Sequence, residues 1–141
     1  IDMSKIWEIY GEKPRPEENP ELILKEYADR LKEDTGEKFI GVVTETIQED
    51  SGSATYALYL LVPELKDYMY RLIEVNIQDL TTPYPVELRL FAKDPKNHRN
   101  FYAENAKDYR TKLESMIGSS VTKGILMHLK TLIDMKNRDE K

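Results

Sequence analysis

The stretch from Lys38 to Ala92, KFIGVVTETIQEDSGSATYALYLLVPELKDYMYRLIEVNIQDLTTPYPVELRLFA, decides the fold. It holds four runs rich in β-branched and aromatic residues, parted by short polar connectors. The last run is the plainest. Val86, Leu88, Leu90 and Ala92 alternate with Glu87, Arg89 and Phe91, the period-two pattern of a strand with one buried face. In the third run Ile73, Val75 and Ile77 alternate with Glu74, Asn76 and Gln78, whereas Tyr68, Tyr70 and Leu72 upstream put apolar bulk on the opposite parity. The first run, Lys38 to Gln48, carries Phe39, Val43 and Ile47 on one parity and Ile40 and Val42 on the other; the second, Thr55 to Val62, is apolar on both, which places it centrally. Glu49 to Ser53, Pro63 to Asp67 and Asp79 to Pro83 are the connectors, too short for a parallel crossover. The expected core is therefore a four-stranded antiparallel meander over 38–92.

Helical signals stand on both sides. Asn19 is an N-cap residue followed by Pro20 at the first helical position, with Glu17, Glu18 and Glu21 near the positive end of the dipole. Leu24, Tyr27, Ala28 and Leu31 form one stripe, Glu21–Lys25 and Glu26–Arg30 are spaced to pair, and Gly36 supplies a stop, so a helix is expected within 19–36. After the sheet, the reading is a helical hairpin over 95–136. Its first helix begins between Asp94 and Asn100 and carries Tyr102, Ala106, Tyr109, Leu113 and Met116 before Gly118. Its second is capped by Ser119 or Ser120 and carries a wider stripe of Val121, Ile125, Leu129, Leu132 and Ile133, with Leu126 beside it. Gly124 lowers the helical propensity of that second segment by about 1 kcal/mol relative to alanine.

With 141 residues the chain has length for one core and not comfortably for two. The expected architecture is one α+β domain: an extended N-terminal segment over 1–18, a helix, the sheet, and the hairpin covering one sheet face. Composition is that of an ordinary soluble protein, with no apolar stretch near the roughly 18 residues a membrane span requires. The absence of cysteine removes disulfide and thiolate chemistry and favours a reducing compartment, so the expected location is cytoplasmic. Met3-Ser4-Lys5 reads as a start without a signal-peptide core, with Ile1-Asp2 as an added extension, and Ile6, Trp7, Ile9 and Tyr10 as a small apolar cluster.

Most motifs that carry chemistry are missing. The two histidines, His98 and His128, are too far apart for a helical zinc motif, and no metal or cofactor site is expected. His98 reads as a surface loop residue that Asp94 could orient, and His128 as a boundary residue of the last helix. Ser51, Ser53, Ser119 and Ser120 sit in turn or cap contexts without a nucleophile elbow, and none of the 6 glycines builds a phosphate-cradling loop. Glu45 and Glu74 are the carboxylates that could form an acid/base pair, if both faced a concave sheet lined by Tyr56, Tyr59, Tyr70 or Tyr84. Each is more simply a solvent-facing strand residue.

The tyrosines are in excess, 9 against 3 Phe and 1 Trp. A phenol joins large contact area to a polar tip, which suits partner binding, and Tyr68, Tyr70 and Tyr84 lie near strand ends where a partner could reach them. Residues 95–141 hold 10 basic against 6 acidic side chains, while 1–94 hold 11 against 20. That basic hairpin invites a nucleic-acid reading, but the apolar width of its second helix and the acidic remainder oppose it. The sequence therefore leads to a non-enzymatic interaction module, adaptor- or chaperone-like, binding an unknown protein partner or itself as a homodimer through an uncovered sheet face or edge. Behind it stand a small cofactor-independent enzyme or ligand-binding protein with a Tyr/Glu-lined pocket and, third, nucleic-acid binding.

Overall fold

The computed structural model describes residues 15–92 and 94–139. The apolar cluster Ile6, Trp7, Ile9 and Tyr10 lies outside them, and the end of the segment expected to be extended, Pro16–Glu18, forms a 3-10 turn. Helix α1 (Pro20–Asp34) opens where Asn19 accepts the Leu22 N–H at 3.0 Å. It buries Ile23 beside the four expected stripe residues. Lys25 meets Glu21 at 2.8 Å, but Glu26 turns away from Arg30 to Arg110 of the next helix, and Arg30 lies over the Tyr27 ring instead.

Five strands, not four, make the sheet. These are β1 (Ile40–Gln48), β2 (Ser53–Val62), β3 (Tyr68–Ile77), β4 (Val86–Leu90) and β5 (Arg99–Ala103), antiparallel in the order β1-β2-β3-β4-β5. The segment expected to begin the helical hairpin is β5, which pairs along all of β4, Val86 with Ala103 and Leu90 with Arg99. Five residues that include Arg99 and Asn100 are too few for alternation to stand out, and Tyr102 happens to fall in helical phase with Ala106 and Tyr109. The strand wins because β4 would otherwise leave a row of unpaired N–H and C=O groups. Asn105 then caps α2 (Ala106–Ile117) by accepting the Asp108 N–H at 2.8 Å.

The parity change in β3 is a bulge. Leu58 pairs with Ile73 while Tyr59 pairs with Arg71, so Leu72 is an extra residue. One inserted residue reverses the alternation. Because Leu58 and Leu60 share a face and oppose Ile73 and Tyr70, both halves of β3 direct bulk to the same side.

That side is the one the helices cover. Ile23, Leu24, Leu58, Leu60, Ile73, Leu88, Leu90, Tyr109 and Leu113 are buried there, each of the aliphatic side chains contributing about 1.5–3 kcal/mol. Gly41 lets α1 cross β1 at contact distance: an added β-carbon would lie 2.6 Å from the Cα of Ala28. The other face is mixed: Ile40, Val42, Tyr59, Leu61 and Met69 lie on it toward β1 and β2, and polar side chains gather over β3 to β5. There Glu74 accepts from Arg71 at 3.3 Å and Asn76 at 3.2 Å, Asn76 accepts from Thr55 at 2.8 Å, and Arg89 donates to Asn100 at 2.9 Å.

Helix α3 (Ser120–Asp139) departs from the expected core role. Of its 20 residues only Thr122, Leu129 and Ile133 are buried. Leu129 and Ile133 join Phe39 and Val62 in a small second cluster, and Lys136 donates to the Glu64 carbonyl at 2.7 Å. Val121 and Ile125 are half-buried, and Leu132 is exposed.

Candidate functional site

The space that α3 leaves beside the sheet is a groove of about 1150 Å³. Its floor comes from the bulged start of β3, the chain after β4 and the first residue of β5, through Tyr68, Tyr70, Ala92, Asp94 and Arg99. The wall is α3, which presents Val121, Gly124, Ile125, His128, Leu129 and Leu132, and Leu65 closes one end. Most of these side chains are apolar. The volume exceeds the roughly 300–1,000 Å³ of sites that enclose a small ligand, and the groove is open to solvent.

Each floor residue has a local reason for its place. Leu72, as the bulge residue, returns Tyr68 and Tyr70 to the helix side, where they oppose Val62 and Leu60. The Tyr70 hydroxyl donates to the Phe91 carbonyl at 2.9 Å, and burial pushes its pKa up. Tyr68 stays 48% exposed, with no hydrogen-bond partner for its hydroxyl among the described residues. Arg99 opposes Leu90 and so points under α3 rather than to the other face. Among the described residues it forms no ion pair.

Of the three expected binding tyrosines, the structure brings Tyr68 and Tyr70 into one site and leaves Tyr84 outside it. Tyr84 is half-buried near the opposite end of the sheet. Its hydroxyl donates to the Glu18 carbonyl at 2.7 Å, its ring meets Tyr109 edge-on at 6.2 Å, and burial pushes its pKa up to about 12. Those contacts hold the turn before α1 to the core. Glu45 and Glu74 do not meet: Glu45 opposes Tyr56 on the helix side at an exposed strand end, whereas Glu74 opposes Ala57 and Arg89 on the other face. Carboxylates on opposite faces of a sheet share no proton.

The histidines separate as well. His98 precedes β5, its Nε2 lies 2.9 Å from the Ala92 carbonyl, and its ring stands edge-on to Phe91. Asp94 does not orient it, since the carboxylate accepts the Lys96 N–H at 3.0 Å. His128 lies on the groove wall and is exposed. Among the described residues, no three His, Asp or Glu side chains gather where they could hold a metal ion, and no helix is long and apolar enough to cross a membrane.

Sequence reasoning missed Arg99, Asp94 and His128 as neighbours. One signal was present: an α3 stripe wider than a packed helix requires, interrupted by a glycine. The chain matches no family model, and neither a curated protein nor a solved structure is similar enough to match it.

Proposed function

We propose that this chain is a non-enzymatic interaction module whose working surface is the groove between α3 and the bulged half of β3, and that it takes up an apolar helical segment there. The carrying observation is α3 itself, a five-turn helix that buries three residues, half-buries Val121, Ile125 and Leu126, and leaves Met127, Leu132 and Met135 exposed. An apolar cleft rimmed by polar side chains such as Asp94, Arg99 and His128 is the kind of surface at which proteins bind partners. The groove is open to solvent, and its α3 wall runs from Ser120 to Leu132, about three turns of helix. The reading as an enzyme with a Tyr/Glu-lined pocket lacks its carboxylate pair, because Glu45 stands opposite Tyr56 on the helix side while Glu74 lies with Tyr59 and Arg71 on the other face, and neither lines the groove.

The test is fluorescence anisotropy of a labelled amphipathic helical peptide of about four turns with leucines along one face, titrated with the intact chain. Saturable binding that is lost in Ile125→Glu and kept in Tyr102→Ala, a change on the other sheet face, supports the groove. Loss in Tyr102→Ala with retention in Ile125→Glu would move the site to the open face and reject the reading.

A further inference from the structure

We infer that the second half of α3, from Met127 to its end at Asp139, is a strap that lifts off the domain while the rest of the fold stays intact, and that its lifting opens one end of the groove. The inference concerns a motion of the groove wall and holds whatever the groove binds. The two halves of α3 are held differently. In the first half Thr122 is fully buried and donates to the Met116 carbonyl at 2.7 Å, and Val121, Ile125 and Leu126 pack against the main core. In the second half Leu129 and Ile133 alone are buried, and they enter the small second cluster with Phe39 and Val62. Met127, Leu132 and Met135 stay 62%, 38% and 54% exposed. Ile125 and Leu126 touch both clusters and mark where the strap begins. Lys136, on the Glu64 carbonyl, is its last anchor.

Helix α2 shows what a firm attachment requires. It is of similar length to the strap, yet it fully buries Tyr109, Leu113 and Met116 and is tied to α1 from three positions: Tyr109 donates to the Pro20 carbonyl, Glu114 accepts from the Tyr27 hydroxyl, and Arg110 pairs with Glu26. The free energy of a local opening follows the apolar packing and hydrogen bonding that the opening breaks. Lifting the strap breaks the packing of two buried aliphatic side chains and the Lys136 bond, and it leaves α1, α2 and all five strands paired. It also remakes the groove. His128, Leu129 and Leu132 leave the wall, and Leu65, which closes one end and packs on the second cluster, loses its cover. The groove then runs on over Phe39 and Val62.

The cysteine-free sequence makes the test clean. Val62 lies under the strap and Val75 in the main core between β2 and β4, both without exposed surface, so Val62→Cys and Val75→Cys place the same thiol behind the two kinds of cover. In the intact chain, a soluble thiol reagent is expected to modify Val62→Cys at least roughly 100-fold faster than Val75→Cys, because the first needs a local opening and the second needs unfolding. Low urea is expected to speed Val75→Cys steeply and Val62→Cys little, since lifting the strap exposes little surface. Adding Lys136→Ala is expected to speed Val62→Cys about fivefold to tenfold, the effect of one charge-assisted bond. Hydrogen exchange of the parent chain gives the same comparison without cysteine, residues 129–136 exchanging through a shallow opening and residues 109–116 only with the whole fold. Equal rates with equal urea dependence at the two thiols, matched by equal protection of the two helices, overturn the inference. So does fast labelling of Val62→Cys that Lys136→Ala leaves unchanged, which would place the opening in the end of β2.

Discussion

A β-carbon on Gly41 would lie 2.6 Å from the Cα of Ala28, closer than any two such atoms approach, so α1 and β1 meet backbone to backbone at that point. The contact sets how near the first helix lies to the sheet and therefore how Ile23, Leu24 and Tyr27 reach the core. Gly41→Ala forces main chain, not a flexible side chain, to move. Overpacking of a core costs about 1–3 kcal/mol, and main-chain displacement belongs at the upper end, so a fall in melting temperature of about 10 °C is expected. A melt within about 2 °C of the parent, roughly one fifth of that fall, would mean that α1 slides freely over β1.

Gly124→Ala carries the opposite sign. The site is mid-helix with open space around it, so the substitution is expected to raise stability by about 1 kcal/mol in urea unfolding at a fixed chain concentration. Two glycines in one chain thus separate a glycine required by close approach within the fold from one that the isolated fold does not need.

Leu88 and Phe91 test one-sided burial. Leu88 is fully buried between β3 and β5 on the helix side, and an aspartate there costs several kcal/mol of a total of about 5–15, so Leu88→Asp is expected to abolish the cooperative melt. Phe91 follows the end of β4, half-buried beneath Arg71 and beside His98. Phe91→Asp is expected to cost about 1–3 kcal/mol and to leave a folded chain, because the new carboxylate can reach solvent and the Arg71 guanidinium.

This pair also shows what the sequence made legible. Alternation in β4 named Leu88 as buried because one residue type per face is all that a two-faced strand needs. The parity reversal between Tyr70 and Ile73 was visible too, but a string of residues does not distinguish a strand that exposes its first half from one with a bulge; only the pairing of Leu58 with Ile73 and Leu60 with Tyr70 does. For the same reason β5 escaped notice, since its existence depends on the unpaired edge of β4 rather than on its own five residues. The groove was further out of reach. It is a gap between elements distant in sequence, and Arg99 and His128 enter it through strand register and helix phase that no local pattern carries.

Tyr84 predicts an alkaline limb. Burial raises its pKa from the ordinary 10.0 to about 12, so the folded chain keeps this proton after the unfolded chain has released it. Stability from the group is whole below pH 10 and is lost as pH rises from 10 through about 12, because the unfolded state then binds fewer protons. Below pH 10, Tyr84→Phe is expected to cost about 1 kcal/mol through the lost bond to the Glu18 carbonyl. Urea unfolding across the alkaline range is expected to show the gap between parent and variant closing as pH rises. A gap of constant size would mean that the phenol titrates at its ordinary value in the fold.

Three of the ten cations of residues 95–141 are spent inside the molecule. Arg110 pairs with Glu26, Lys112 with Asp108 and the Tyr102 carbonyl, and Lys136 with the Glu64 carbonyl, which leaves Lys123, Lys130 and Arg138 as the exposed cations of α3 without an ion pair among the described residues. A duplex-binding protein releases counterions in proportion to its phosphate contacts, and affinity then falls by about 0.9 log units per contact for each tenfold rise in salt. With Lys96, Arg99 and Lys107 these make six exposed cations without an ion pair among the described residues, and six scattered cations on a chain of net charge −5 support no more than weak contact. Anisotropy with a labelled random duplex is therefore expected to give no binding below about 100 μM at physiological salt, the range of non-specific association. The triple variant Lys123→Glu, Lys130→Glu, Lys136→Glu separates the cases, because submicromolar binding in the parent that vanishes in the variant would place the working surface on the outer side of α3 and displace the groove from that role.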